Sequence, residues 1–123
     1  MIAADTSSLA AYLSGGVGAD VDQIDSAIMD EELVLPPPVL SELYSKPQRA
    51  QFESIVAQLP LIELADGFWT RTGEARRVLL GKGFKAALAD ALIAQCCIDA
   101  DMPLITRDAD FQHFKRWCGL KLA

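Results

Sequence analysis

Apolar positions along this chain come in two patterns. Met1 to Ala4, Leu33-Val34-Leu35 and Pro103 to Thr106 are short runs of apolar or β-branched residues, long enough for a buried strand but too short for a helix. Between them, apolar residues recur three and four apart, as an amphipathic helix requires. Leu9 to Leu13 reads as a helix capped by Thr6 or Ser7 and ended by Gly15-Gly16. Val17 to Glu31 reads as a second, with Val17, Val21, Ile24 and Ile28 inward. Pro36-Pro37-Pro38 imposes an extended entry on a helix carrying Val39, Leu40, Glu42 and Leu43, which stops near Ser45-Lys46-Pro47. Gln48 to Gln58 is expected to be helical with Phe52, Ile55, Val56 and Leu59 inward, and Leu61 to Leu64 to be a strand. Asp66 is placed to cap a long helix through Leu80, broken by Gly81-Lys82-Gly83. Ala87 to Ala100 is the most apolar helical segment and is expected at the centre. A short helix from Asp110 to Trp117 and a strand at Leu120 to Leu122 close the chain.

Strands that alternate with helices predict an α/β fold with a mainly parallel sheet between two helical layers, a three-layer α/β/α sandwich. At 123 residues, 51% hydrophobic and 23% charged, the chain is expected to form one globular domain spanning residues 1–123. No stretch approaches the roughly 20 apolar residues of a membrane span. The first residues have neither the basic flank nor the apolar core of a signal peptide, so a cytoplasmic protein is expected. Adjacent Cys96 and Cys97, with Cys118 apart from them, match no zinc spacing and read as small core residues.

Against that fold, four acids occupy telling places. Asp5 closes the first apolar run, Glu42 follows the proline-rich entry, Asp90 opens Ala-Leu-Ile-Ala, and Asp108 follows Leu-Ile-Thr-Arg. Carboxylates just beyond strands, or in the first turn of a helix, face the rim where open α/β sheets bind ligands. Acids gathered there without a cation would repel one another, and a hard divalent ion with oxygen ligands relieves that repulsion. Taken singly, each acid is as readily a helix cap or a solvated side chain.

Charge adds a second pattern. The net charge is −6, the wrong sign overall for binding phosphates. Acids nevertheless crowd residues 20–32, and Arg71, Arg76, Arg77, Lys82 and Lys85 crowd a later segment that offers RNA, or an acidic partner, a basic strip. Ordinary solvated helix faces would account for both. Arg107, beside Asp108, suits either a phosphate contact or an ion pair. Trp69 and Trp117 suit core or dimer contacts better than base stacking. Leu9, Tyr12, Val39, Leu43 and Tyr44 are candidates for an interface.

Asp5-Thr6-Ser7 with Leu9, Tyr12-Leu13 and Gly15, then Leu35-Pro36-Pro37 leading to Val39-Leu40-Ser41-Glu42-Leu43, then Ala89-Asp90-Ala91-Leu92-Ile93-Ala94, and finally Met102 to Phe111 occur in this order along nearly the whole chain. Together they resemble the PIN-domain family, in particular the small VapC-type toxins of toxin–antitoxin pairs. The resemblance implies a metal-dependent ribonuclease with Asp5, Glu42, Asp90 and Asp108 as catalytic acids and Mg²⁺ or Mn²⁺ as cofactor. Asp5, Asp90 and Asp108 are the leading ligands, with Glu42 acting directly or through water and Asp110 as a further acid. Thr6, Ser7 and Thr106 would orient a carboxylate or water, unless they only cap helices. RNA is the implied substrate, a cognate antitoxin the implied partner, and a homodimer the implied assembly. Two other α/β chemistries fit poorly. A haloacid-dehalogenase-like phosphatase needs a second acid two residues after Asp5, where Ser7 stands, and a receiver domain needs an acidic pair and a late lysine. The competing reading from another class is a PIN fold that binds RNA or protein without cutting.

Overall fold

The computed structural model describes residues 1–47 and 52–123. Three strands, β1 (Ile2–Ala4), β2 (Leu33–Val34) and β3 (Leu104–Ile105), form a parallel sheet in the order β2-β1-β3. Ile2 pairs with Leu33 and Ala3 with Val34 on one side; Ala3 pairs with Leu104 and Ala4 with Ile105 on the other. Parallel neighbours cannot be joined by a tight turn, so helices cross between them and cover both faces. The helices are α1 (Thr6–Leu13), α2 (Ala19–Met29), α3 (Pro37–Tyr44), α4 (Glu53–Val56), α5 (Phe68–Gly81), α6 (Leu88–Ala100) and α7 (Phe111–Cys118). The result is the expected three-layer α/β/α arrangement with a short parallel sheet.

Local chemistry explains most of the boundaries. Pro37 and Pro38 open α3, where a missing N–H costs nothing because no intrahelical acceptor exists there. Gly119, in the left-handed region at φ +85°, ends α7. In α6, Ala91, Ile93, Ala94, Gln95, Cys96 and Cys97 are all buried, which is why that segment carries so little surface charge. Asp99 ties α6 to α5 by accepting from Arg71 Nε at 3.0 Å and Nη2 at 2.6 Å, and it also accepts from Gln95. Burial pushes the Cys96 thiol up to about 12 and raises Cys97 as well, so both behave as packed apolar groups.

Several boundaries differ from the pattern-based expectation. Asp5 itself, not Thr6 or Ser7, caps α1, because its carboxylate already reaches the Ser8 amide. Val17 lies outside α2 and is 86% exposed; Gly18 at φ +144° separates them. Asp66 does not cap α5: Gly67 takes the cap position at φ +80° and leaves the Asp66 carbonyl to accept from Arg71. Leu61 and Leu122 each form an isolated parallel bridge, to Leu35 and Leu104, instead of opening full strands. Of the helix expected from Gln48 to Gln58, residues 48–51 lie outside the described residues, and α4 covers four of the rest. Leu9, Val39 and Leu43 belong to the core, with Leu43 also lining a surface hollow; Trp69 and Trp117 are the reverse case, 69% and 40% exposed.

Candidate functional site

All three strands point their C-terminal ends at one edge, and the acids gather there. β1 ends at Ala4, so Asp5 is the first residue past the central strand; it is 2% exposed. Asp90 sits in the first turn of α6. Thr106, Asp108 and Asp110 follow β3, and Glu42 lies on α3. A cavity of about 260 Å³ is lined by Asp5, Thr6, Ser7, Glu42, Asp90 and Asp108, with Lys46 also on its wall. Carboxylate oxygens of Asp90, Asp108 and Asp110 lie within 4.8 Å of one another.

Hydroxyls hold this cluster in place. Ser7 Oγ donates to Asp5 at 2.8 Å, and Thr106 Oγ1 donates to Asp5 Oδ2 at 2.6 Å. With the Ser8 amide at 2.9 Å, Asp5 receives three hydrogens on four lone-pair sites, which leaves capacity for a cation. Thr106 Oγ1 also accepts from the Asp108 amide at 3.0 Å, so one hydroxyl joins the two acids. Asp108 Oδ1 accepts from the Asp110 amide at 2.9 Å, which folds the loop back on itself. Thr6 Oγ1 donates to Glu42 Oε1 at 2.5 Å. Removing the double link with Thr106→Val is expected to weaken Mn²⁺ binding by about ten- to a hundredfold, read by calorimetric titration. An unchanged affinity would mean the hydroxyl is only a loop fastening.

The electrostatics record the crowding. Burial pushes the Asp90 carboxyl up to about 6, helped by the negative charges of Asp108, Asp110, Glu42 and Asp5. Asp5 is also raised, chiefly by burial, against the opposing pull of its Thr106, Ser8 and Ser7 hydrogen bonds. Across the rim, Arg107 does not point at the acids. Its Nε lies 2.7 Å from Asp20 Oδ2, its Nη2 donates to the Val17 carbonyl, and its guanidinium holds the Asp20 carboxyl well below the usual carboxylate range. Of the two roles open to Arg107, the ion pair is the one formed.

A family model for the PIN domain matches residues 2–116. The chain belongs to the PIN-domain family. No curated protein sequence matches it. Among solved structures, a chain of VapBC2 from Rickettsia felis bound to a promoter DNA fragment superposes with a TM-score of 0.78 at 20% identity, covering 100% of this chain and 98% of its own. A chain of DNA-bound VapBC from Salmonella typhimurium also gives 0.78, at 18% identity and with the same coverage. FitAcB from Neisseria gonorrhoeae gives 0.69 at 15% identity, with 99% and 96% covered. At these identities the likeness establishes the fold.

Within this PIN fold, Asp5, Glu42, Asp90 and Asp108 line one cavity, and Asp110 joins Asp90 and Asp108 in the tightest group of oxygens. The donor set is all carboxylate oxygen, it is partly buried, and Asp90 and Asp5 are raised chiefly by that burial, with their neighbours' charge adding to it. Such a set fits a hard divalent cation. Sequence reasoning missed Lys46, which follows Glu42 by one helical turn at the cavity wall; the i, i+4 spacing was the available signal. Lys85, from the basic strip, lies with its Nζ 3.9 Å from Asp110 Oδ2. Among the described residues, no helix is long and apolar enough to cross a membrane.

Proposed function

We propose that this PIN-domain protein is a VapC-type endoribonuclease, the toxin of a toxin–antitoxin pair, which hydrolyses RNA phosphodiester bonds with Mg²⁺ or Mn²⁺. The observation that carries this reading is the convergence of five carboxylates on the C-terminal edge of the sheet, where burial, reinforced by the neighbouring negative charges, pushes Asp90 up to about 6. Asp90, Asp108 and Asp110 would hold the ion, with Asp5 and Glu42 completing the acidic wall. Bound there, the ion supplies a water of lowered pKa and positive charge for the scissile phosphate. Asp90 would hold the cation as its carboxylate, while Thr106 and Ser7 keep Asp5 in one orientation. Lys46, on the cavity wall, draws the substrate phosphate toward the acids.

The implied partners have candidate places. An apolar hollow of about 310 Å³ lined by Ala10, Leu13, Leu43 and Phe52 adjoins the acidic cavity and suits an antitoxin segment. On the other flank, Pro37, Pro38, Leu64, Trp69 and Leu92 line a second hollow beside Glu42, with Leu88 exposed nearby, and suit a homodimer contact.

The test is cleavage of a labelled mixed RNA pool by antitoxin-free protein with Mn²⁺ or Mg²⁺, alongside EDTA and Asp90→Asn. Cutting that disappears in both controls is the expected result. Equal cutting by wild type and Asp90→Asn would remove the site assignment. Mn²⁺-independent RNA binding without cutting would leave a non-catalytic binding module.

A further inference from the structure

The loop after α5 and one edge of α7 face each other in three successive pairs. Lys85 Nζ lies 3.9 Å from Asp110 Oδ2. The Phe84 ring stacks on His113 with centroids 4.2 Å apart and planes 15° off parallel. Lys82 Nζ sits 3.9 Å from the Trp117 ring centroid, and the Arg116 guanidinium carbon lies 4.9 Å from the same ring. Asp110, His113 and Trp117 are spaced i, i+3 and i+7, so they share one edge of α7. That edge begins in the acidic cluster and runs outward for roughly 10 Å.

We infer that this edge is a track for single-stranded RNA, in which Lys82, Lys85 and Arg116 take backbone phosphates and Trp117 stacks on a base. The inference rests on the ribonuclease reading and extends it to the path of the substrate. Three observations support it. First, most of the cations here form no ion pair, and Lys85, its side chain 78% exposed, makes only a 3.9 Å contact with Asp110. Lys82, Lys115 and Arg116 make no ion pair among the described residues, and Arg76 spends its Nε on the Ala86 carbonyl, whereas Arg71, Arg107 and Lys121 are each held by an aspartate. Second, the Trp117 indole fills no space in the core. It is 40% exposed, and Lys82 and Arg116 lie over its ring. Cations interleaved with an aromatic platform are what a strand without fixed sequence needs, and a stacking base offers the ring more than Lys82 does while its phosphate receives the displaced ammonium. Third, the track leads to Asp110, so a strand lying on it delivers a phosphodiester to the acidic cavity. An acidic protein segment would use the cations but has no use for the indole.

The experiment is fluorescence anisotropy of a labelled, mixed-sequence single-stranded RNA in Ca²⁺ buffer, over a range of salt. It compares wild type, Lys82→Glu with Arg116→Glu, Trp117→Ala, and Lys121→Glu. Lys121 pairs with Asp101 just past the far end of α6 and serves as the charge control. The double reversal is expected to weaken binding at least about tenfold and to flatten the salt dependence by about 0.7 for each phosphate no longer neutralised. Trp117→Ala is expected to weaken binding about tenfold with the salt slope unchanged. Lys121→Glu should stay within about twofold of wild type. Thermal melting confirms that each variant folds, and Lys82→Gln stands in should the double reversal fail to. Losses no larger than that of Lys121→Glu would overturn the track. Loss of an acidic peptide's binding while RNA binding persists would assign the edge to a protein partner and overturn it too. Mn²⁺ titration of wild type separates the two readings. RNA affinity carried by these residues in a protein that binds no Mn²⁺ would keep the track and remove the nuclease.

Discussion

Asp90→Asn is expected to abolish RNA cleavage and, in the metal-free protein, to raise stability at neutral pH. The activity loss should exceed the roughly ten- to hundredfold that follows from removing a group behind a metal ligand, because here the charged ligand itself goes. The stability gain follows from the sign of the shift. Asp90 ionises at about 6 in the fold against 3.8 unfolded. The folded state therefore binds this proton more tightly, and the stabilisation it provides is complete below about pH 4 and is lost as pH rises through 6. A two-unit shift corresponds to about 3 kcal/mol at most, and partial exposure of the carboxyl reduces this to about 1 kcal/mol. Asp20 and Asp99 act in the opposite sense: both are lowered, by Arg107 and Arg71, so their contribution is present above pH 4 and fades as pH falls below it. Metal-free wild type should be most stable between about pH 4 and 6. Urea midpoints at about pH 5 and 7.5 provide the check. The Asn variant should lose less than wild type between those two pH values, and saturating Mn²⁺ should flatten the wild-type curve. A variant less stable than wild type at the higher pH without metal would show that Asp90 is held by attraction rather than crowding.

Phe111→Ala carries the second large effect. Phe111 is 1% exposed, opens α7 directly after Asp108 and Asp110, and lies 6.0 Å from the Phe114 ring. Truncating a buried phenylalanine costs about 3–5 kcal/mol, a large share of the roughly 5–15 kcal/mol available to a domain. The loop bearing Asp108 and Asp110 is anchored by this ring, so Mn²⁺ affinity should fall with stability. Phe111→Leu, which retains most of the volume, should lose less than about 1.5 kcal/mol and keep near-normal metal binding. Denaturant midpoints and Mn²⁺ titration together distinguish these outcomes. A stable Ala variant with intact metal binding would mean that the hydrogen bonds from Thr106 and Asp108 hold the loop unaided.

Strand and helix identity is readable wherever local pattern and long-range packing agree. Met1 to Ala4 and Leu33 to Leu35 are too short and too apolar to be anything but buried strands, and the all-round apolar character of Ala87 to Ala100 reflects a helix covered on most sides. Pattern and structure part company at the ends of elements. Val17 continues the i, i+4 series of α2, yet Gly18 breaks the chain before it, and periodicity carries no information about φ. The pattern offers the cap to Asp5, Thr6 or Ser7 and treats capping and a place in the site as alternatives for Asp5, whereas one Asp5 carboxylate serves both as cap and as part of the acidic wall. Leu9 and Val39 pass for interface residues in the sequence because an apolar side chain looks the same whether core or partner buries it.

The sequence by itself determined the alternation of short apolar runs and amphipathic helices, and with it a parallel α/β sheet, since parallel strands demand crossovers and uninterrupted burial. It also determined which residue types stand just past the strands, and so the oxygen-only chemistry available at that edge. Only the tertiary structure decided how those acids are grouped and bound. Asp110 lies with Asp90 and Asp108, Asp5 is bound by Ser7, Ser8 and Thr106, and Arg107 turns away to Asp20. The reason is physical: hydrogen-bond partners as far apart in sequence as Asp5 and Thr106 meet only when β1 and β3 pair. Carboxyl repulsion depends on distances that no spacing along the chain specifies.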